Sequence, residues 1–279
     1  MIRAYLAGAR ATLRRWPLVI VLWLIVAVFG LAFALASGAW LTQALDGSLA
    51  TRTLFRELDA NVFVDLWYHH REGLRGLLVL AAVLGVLHVV LWWWLHGVVI
   101  CALQRPADDA EGVWTQALGL APAMAQLFVI ATVVFVVFSG AVGGGAYALL
   151  RVTRPSPSAL IWEAIIGGAA LIWVSGYVFL VAVHDHARLR VCRIGRGALP
   201  AYGWAISFVM RGGEGAFPLA CALQASSLAL WAAYHAVSLN VPMTEVLGLT
   251  GSLLLGEAFI LARVWVRVWF FAAQNELQS

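Results

Sequence analysis

A carboxylate set in a long apolar run is the residue with most to say about chemistry in this chain. Glu257 stands between Gly256 and Ala258, near the middle of the apolar run 246–272. A charged carboxylate at bilayer depth costs about 2.5–3.5 kcal/mol on insertion scales. Glu257 is therefore expected to face other helices, to be protonated or to be paired. His88, near the middle of the run 76–103, has the matching depth and is the expected intramembrane partner. Such a pair can relay a proton or a cation, or contact a polar substrate. It can equally lock two helices through a hydrogen bond, and that bland role is the preferred one. Glu163, a few residues into its run, reads as an interfacial anchor.

The second cluster is His184, Asp185, His186, Arg188, Arg190, Arg193 and Arg196. Asp185 and Arg188 are three residues apart and meet on one helix face. Arg263 and Arg267 are expected at similar depth on the last run, so an Asp185–arginine pair tying two spans at the inner interface is the structural expectation. The functional alternative is a basic patch for anionic headgroups or a partner protein. His184 and His186, two apart, point to opposite sides of a helix and cannot share one metal ion. His69-His70 reads as loop chemistry, and Trp92-Trp93-Trp94 points three ways and makes no aromatic box. Cys101, Cys192 and Cys221 form no CxxC and read as small packing residues. Gly248, Ser252 and Gly256, and likewise Gly140 and Gly144, repeat every four residues and offer seams for close helix contact.

What is missing narrows the classes. The sequence contains no GxxxxGK[ST], HExxH or GxSxG. No catalytic residue, metal ligand set or cofactor is expected, and the expectation is that the protein is not an enzyme. The pI near 9.3 does not argue for nucleic acid, because the arginines gather at the ends of apolar runs, where membrane orientation explains them.

These residues need elements to hold them, and composition says which. The chain has 279 residues, 63% hydrophobic and 11% charged, with mean hydropathy +0.89. A soluble domain carries about a quarter charged residues, so the solvent of this one is partly apolar. All 18 basic residues are arginine, which reads as a GC-rich bacterial genome. Runs long enough to cross about 30 Å of hydrocarbon lie at 17–38, 76–103, 121–150, 159–184, 217–239 and 246–272. The fold expected is an all-α polytopic transmembrane bundle of about six spans, forming a single domain over 1–279. The first run exceeds a usual signal peptide core and is expected to stay as an uncleaved span. Placing the N-terminus inside puts twelve arginines in the cytoplasm and six outside, which favours both ends cytoplasmic. Residues 39–75 are then the main external loop, with Asp46, Glu57, Asp59, Asp65 and Glu72 roughly neutralising its four arginines.

A weak repeat runs through this layout. Short amphipathic stretches at 2–15, 110–120 and 199–210 precede Pro17, Pro122 and Pro218 at span entries, and a pair of spans follows each. The reading is three units of interfacial helix plus helical hairpin. In the first stretch Tyr5, Leu6 and Leu13 share one side and Arg3, Arg10 and Arg14 another.

Two segments carry a resemblance. Residues 54–65 (LFRELDANVFVD) and Val183-His-Asp185-His-Ala187-Arg188-Leu-Arg190 resemble patterns of a large, loosely defined group of bacterial six-span membrane proteins without assigned activity. His186 stands where that group more usually has an aromatic such as Tyr. The resemblance covers the layout of most of the chain and is specific over about twenty residues. It implies a fold and a bacterial inner-membrane location, and no activity. The preferred functional expectation is a membrane-embedded scaffold or partner subunit, with membrane lipids and a protein subunit as partners. The alternatives are an ion-coupled or partner-driven transporter using Glu257 and His88, and an intramembrane lipid-handling enzyme. Against transport, few midplane polar groups are present.

Overall fold

The structure is a computed structural model that describes residues 1–45, 64, 67–105, 109–153, 159–195, 197–211, 215–240 and 246–278. The external-loop segment 54–65, apart from Val64, and Arg196 lie outside the described residues, as do the side chains of 246–249. The described chain is helical, with no strand. In order it forms α1 (Ile2–Arg14), α2 (Trp16–Leu45), α3 (Arg71–Gln104), α4 (Ala110–Gly119), α5 (Ala121–Val152), α6 (Ala159–Ile194), α7 (Ala198–Met210), α8 (Ala216–Ser238) and α9 (Val246–Gln278).

Among the described residues, these nine elements follow the order short, long, long three times. The lengths are 13, 30 and 34 residues, then 10, 32 and 36, then 13, 23 and 33. The expected threefold arrangement of a short helix followed by two long ones is thus present in the secondary structure. Each proline sits in the first turn of the first long helix, at Pro17, Pro122 and Pro218. There the N–H that proline lacks would have had no intrahelical partner, so the ring costs nothing and fixes a helical φ. α4 begins on Asp109, whose carboxylate accepts from the Gly112 N–H at 3.1 Å, satisfying one orphan donor of its first turn.

Five of these helices, α2, α3, α5, α6 and α8, are long and apolar enough to cross a membrane. α9 is long enough too, but carries Glu257, Arg263 and Arg267 along its described length. Together they make an all-α bundle of about six spans. The helices run further than the hydropathy bounds: α2 reaches Leu45 and α3 starts at Arg71, so the two ends of the expected loop 39–75 are helical. The long helices extend because nothing in residues 39–45 or 71–75 breaks one apart from Gly73, and an isolated glycine costs only about 1 kcal/mol.

The distribution of surface confirms the solvent. Large apolar side chains such as Val28, Val86, Val137, Leu171, Leu228 and Leu253 are 63–69% exposed. Leaving a Leu or Val in water forfeits about 1.5–3 kcal/mol each, and no water-soluble fold tolerates so many. The protein is a multi-pass membrane protein.

The chain divides into two compact units. The first comprises Met1–Arg14, His96–Ala225 and Val268–Ser279. Its core packs Leu127, Ala182, Leu189, Ala205, Leu219, Leu223 and Phe271, drawn from α5 to α9, and it also buries Thr12, His96, Asp185, His186, Arg188 and Gln274. The second comprises Arg15–Leu95 and Ser226–Arg267. It buries Val19, Leu22, Val264 and Val266, and the Tyr234 and Phe259 rings stack at 4.2 Å between α8 and α9.

Candidate functional site

The first unit inverts the usual helix. α6 is apolar and mostly exposed over its first twenty residues, then charged and buried from Ala182 to Cys192. The polar end is the part that other elements surround. Asp185 is 1% exposed and its Oδ1 accepts from Arg188 Nη1 at 3.4 Å. Asp185 and Arg188, three residues apart on one helix face, thus pair along α6 as their spacing predicts. Burial pushes the Tyr202 phenol on α7 above its ordinary pKa, with the Arg188 guanidinium opposing. The His184 ring lies 6.4 Å from that of Tyr202. Arg190 is held differently, with its guanidinium 4.5 Å over the Trp204 ring.

His186 is fully buried and is clamped by a residue from the end of α9. Gln278 Nε2 lies 2.7 Å from His186 Nδ1 and donates to the His186 carbonyl at 3.4 Å. With the amide as donor, Nδ1 accepts and the ring proton sits on Nε2, a tautomer assigned from this network. Nε2 has no hydrogen-bond partner among the described residues. The Phe208 ring packs edge-on at 4.9 Å. His96 on α3 stands eight residues before the end of its helix, as His186 does on α6 (104 − 96 and 194 − 186). It meets Phe271 edge-on at 5.2 Å.

Around this hub the helix ends are tied by amides. Gln104 Nε2 donates to Leu189 O and Asn275 Oδ1, both at 3.4 Å. Gln116 Nε2 donates to Cys192 O at 3.1 Å while its Oε1 accepts from Arg105 Nε at 2.7 Å. Arg105 also pairs with Asp109, and Arg193 donates to the Gln278 carbonyl and to Asn275 Oδ1. Of these polar residues Gln104, Arg105, Gln116, Arg193 and Asn275, together with Cys192 and Leu103, line a cavity of about 430 Å³. The Cys101 and Cys192 sulfurs lie 3.9 Å apart, so both cysteines pack inside the unit and touch each other.

α1 docks on the end of α9 by close approach. A Cβ on Gly8 would stand 2.5 Å from Ala273 N, so only glycine fits there. Ala4, Gly8 and Thr12 form the buried stripe, and Thr12 turns its hydroxyl inward onto Gly8 O at 2.9 Å. Trp269 Nε1 donates to Tyr5 O at 2.8 Å and its ring lies 4.5 Å from that of Tyr5. The expected grouping of Tyr5 with Leu6 and Leu13 therefore breaks: Tyr5 turns to α9, and the exposed apolar side is Ile2, Leu6 and Leu13.

The second unit holds the intramembrane carboxylate. Glu257 Oε2 accepts from Trp23 Nε1 on α2 at 3.1 Å. Its expected partner was His88, and among the described residues the two form no hydrogen bond or ion pair with each other. His88 lies between Phe29 at 5.4 Å and Trp92 at 6.0 Å. The reason is chemical, since an indole N–H is a donor only and finds the carboxylate as the acceptor within its reach. Arg263 lies 5.8 Å from the Phe259 ring centroid. Arg263 and Arg267 belong to this unit, and Asp185, Arg188 and Arg190 to the other.

Among the described residues no group of three or more His, Cys, Asp or Glu could hold a metal ion. Sequence reasoning missed Gly8, His96, Gln104, Gln116, Asn275 and Gln278. Gln104 and Asn275 carried one faint signal, each standing just past an apolar run. Comparison with family models, curated proteins and solved structures returns no match to this chain.

Proposed function

We propose that the protein is a scaffold or partner subunit of the bacterial cytoplasmic membrane, both ends cytoplasmic, that holds another membrane helix against one face of α5. One observation carries this reading. α5 meets α6 through Phe135 and Ser139, against Trp173 and Tyr177. Gly140 and Gly144 lie on the opposite side, and a Cβ at either would meet no atom within 4 Å. Two glycines inside a helix cost about 1–2 kcal/mol relative to alanine, and the hairpin recovers none of it. A small-xxx-small seam recovers it when a second helix backbone approaches. Val133 and Val137 flank the seam and are 55% and 65% exposed.

The test places a photoreactive amino acid at Val137, with Leu171 as control, in native membranes. A discrete protein adduct at Val137 is expected, lost in Gly140→Leu/Gly144→Leu. Lipid adducts alone at both positions would end the proposal. Transport through Glu257 and His88 draws less support, because Glu257 already accepts a hydrogen bond that joins α2 to α9.

A further inference from the structure

The docked α1 has three stripes, and among the described residues one of them packs against the protein. With about 100° between successive residues, Ala4, Gly8 and Thr12 fall on one side and are buried against the protein. Ile2, Leu6 and Leu13 cluster within about 40° of one another and are 68%, 51% and 61% exposed. Arg3, Arg10 and Arg14 form the next stripe, about 80° further round, and all three are exposed. No acidic residue occurs anywhere in the first 45 positions. A single residue, Arg15, separates α1 from the apolar α2, so the chain cannot carry α1 far from where that span meets the membrane surface.

An apolar stripe beside a basic one is the pattern of a helix lying in the bilayer interface, its apolar side among acyl chains and its cations among headgroups. We infer that α1 is a recognition element for anionic phospholipid headgroups, seated by its buried stripe and reading charge with Arg3, Arg10 and Arg14. The other two short helices lack the charge. α4 has Trp114 and Leu118 exposed but contains Glu111 and no basic residue, and α7 exposes Leu199 and Met210 and contains no charged residue. Lipid discrimination is therefore confined to one of three repeated elements. An acidic protein surface is the competing occupant, and it would have no use for the adjacent apolar stripe.

The experiment reconstitutes the full chain in nanodiscs of phosphatidylcholine, alone or with one quarter phosphatidylglycerol, and follows hydrogen exchange of residues 2–14 by mass spectrometry. Exchange is expected to slow in the anionic discs by about fivefold for each arginine at the headgroups, the equivalent of about 1 kcal/mol per basic residue. Arg3→Gln/Arg10→Gln/Arg14→Gln should equalise the two discs. Should that variant fail to fold, raising the salt on the unmodified protein serves instead, because screening shortens to a few ångström and the contrast should shrink. Equal exchange in both discs, or a contrast that survives the substitutions or the salt, overturns the inference. So does a contrast that appears only when an acidic protein is added.

Discussion

Replacing Asp185 with leucine tests whether the buried hub is held by its charges. Asp185 and the Arg188 side chain are 1% and 6% exposed, with Oδ1 and Nη1 3.4 Å apart. At an effective dielectric near 20, unit charges at that distance attract by about 5 kcal/mol. Most of this offsets the cost of taking two ions out of water, which is several kcal/mol for each. The net worth of the pair is thus small, while truncating one member of a buried pair costs about 3–5 kcal/mol. Asp185→Leu alone is expected to lose that amount. Arg188→Met in the same chain should restore most of it, because two apolar side chains then fill the site. The assay is equilibrium unfolding in mixed detergent micelles, followed by far-ultraviolet dichroism, for both single variants and the double. The expected coupling is at least about 2 kcal/mol. If the double variant loses the sum of the singles to within about 0.5 kcal/mol, Asp185 and Arg188 act independently and the reasoning fails.

Gly8→Leu should release α1, since the backbone of Ala273 leaves no room for a Cβ; overpacking costs about 1–3 kcal/mol, and trypsin should cleave after Arg10 and Arg14 faster in the detergent-solubilised variant. Unchanged cleavage would place the α1–α9 contact elsewhere. Trp23→Phe removes the donor to Glu257 and should lower the thermal midpoint by the equivalent of about 1–3 kcal/mol, whereas Glu257→Gln, whose amide oxygen still accepts, should change it by less than about 1 kcal/mol. The reverse order of effects would show that the carboxylate charge, and not the hydrogen bond, is what the helix pair needs.

Much of the fold was legible because it follows from local spacing. The long helices, the prolines at their entries and the short helices between them can all be read within a window of one or two turns. The Asp185–Arg188 pair belongs to the same class, being a relation along one helix. The contacts that define the rest of the hub join residues far apart in sequence: His186 with Gln278, Gln104 with Asn275, Gly8 with Ala273. Helical periodicity gives the face a side chain presents and says nothing of which helix receives it. Depth matching led to His88 as the partner of Glu257 for the same reason, since depth orders residues along the membrane normal and leaves their positions around the bundle open. Hydropathy also hides the inversion of α6, because it scores the charged segment 184–192 as surface and the structure makes most of it core.

The short-long-long order has a consequence for how such a chain can be built. A module with two crossing helices returns the polypeptide to the face from which it set out. Loss or duplication of one module therefore leaves every other helix with its original polarity. A module with an odd number of crossings would invert every helix downstream, at odds with any orientation set by basic segments. Parity, rather than the identity of any single side chain, is what lets a unit of this kind be copied in tandem, and it leaves each copy free to take on its own work, as α1 has its arginines, α4 its glutamate and α7 no charge at all.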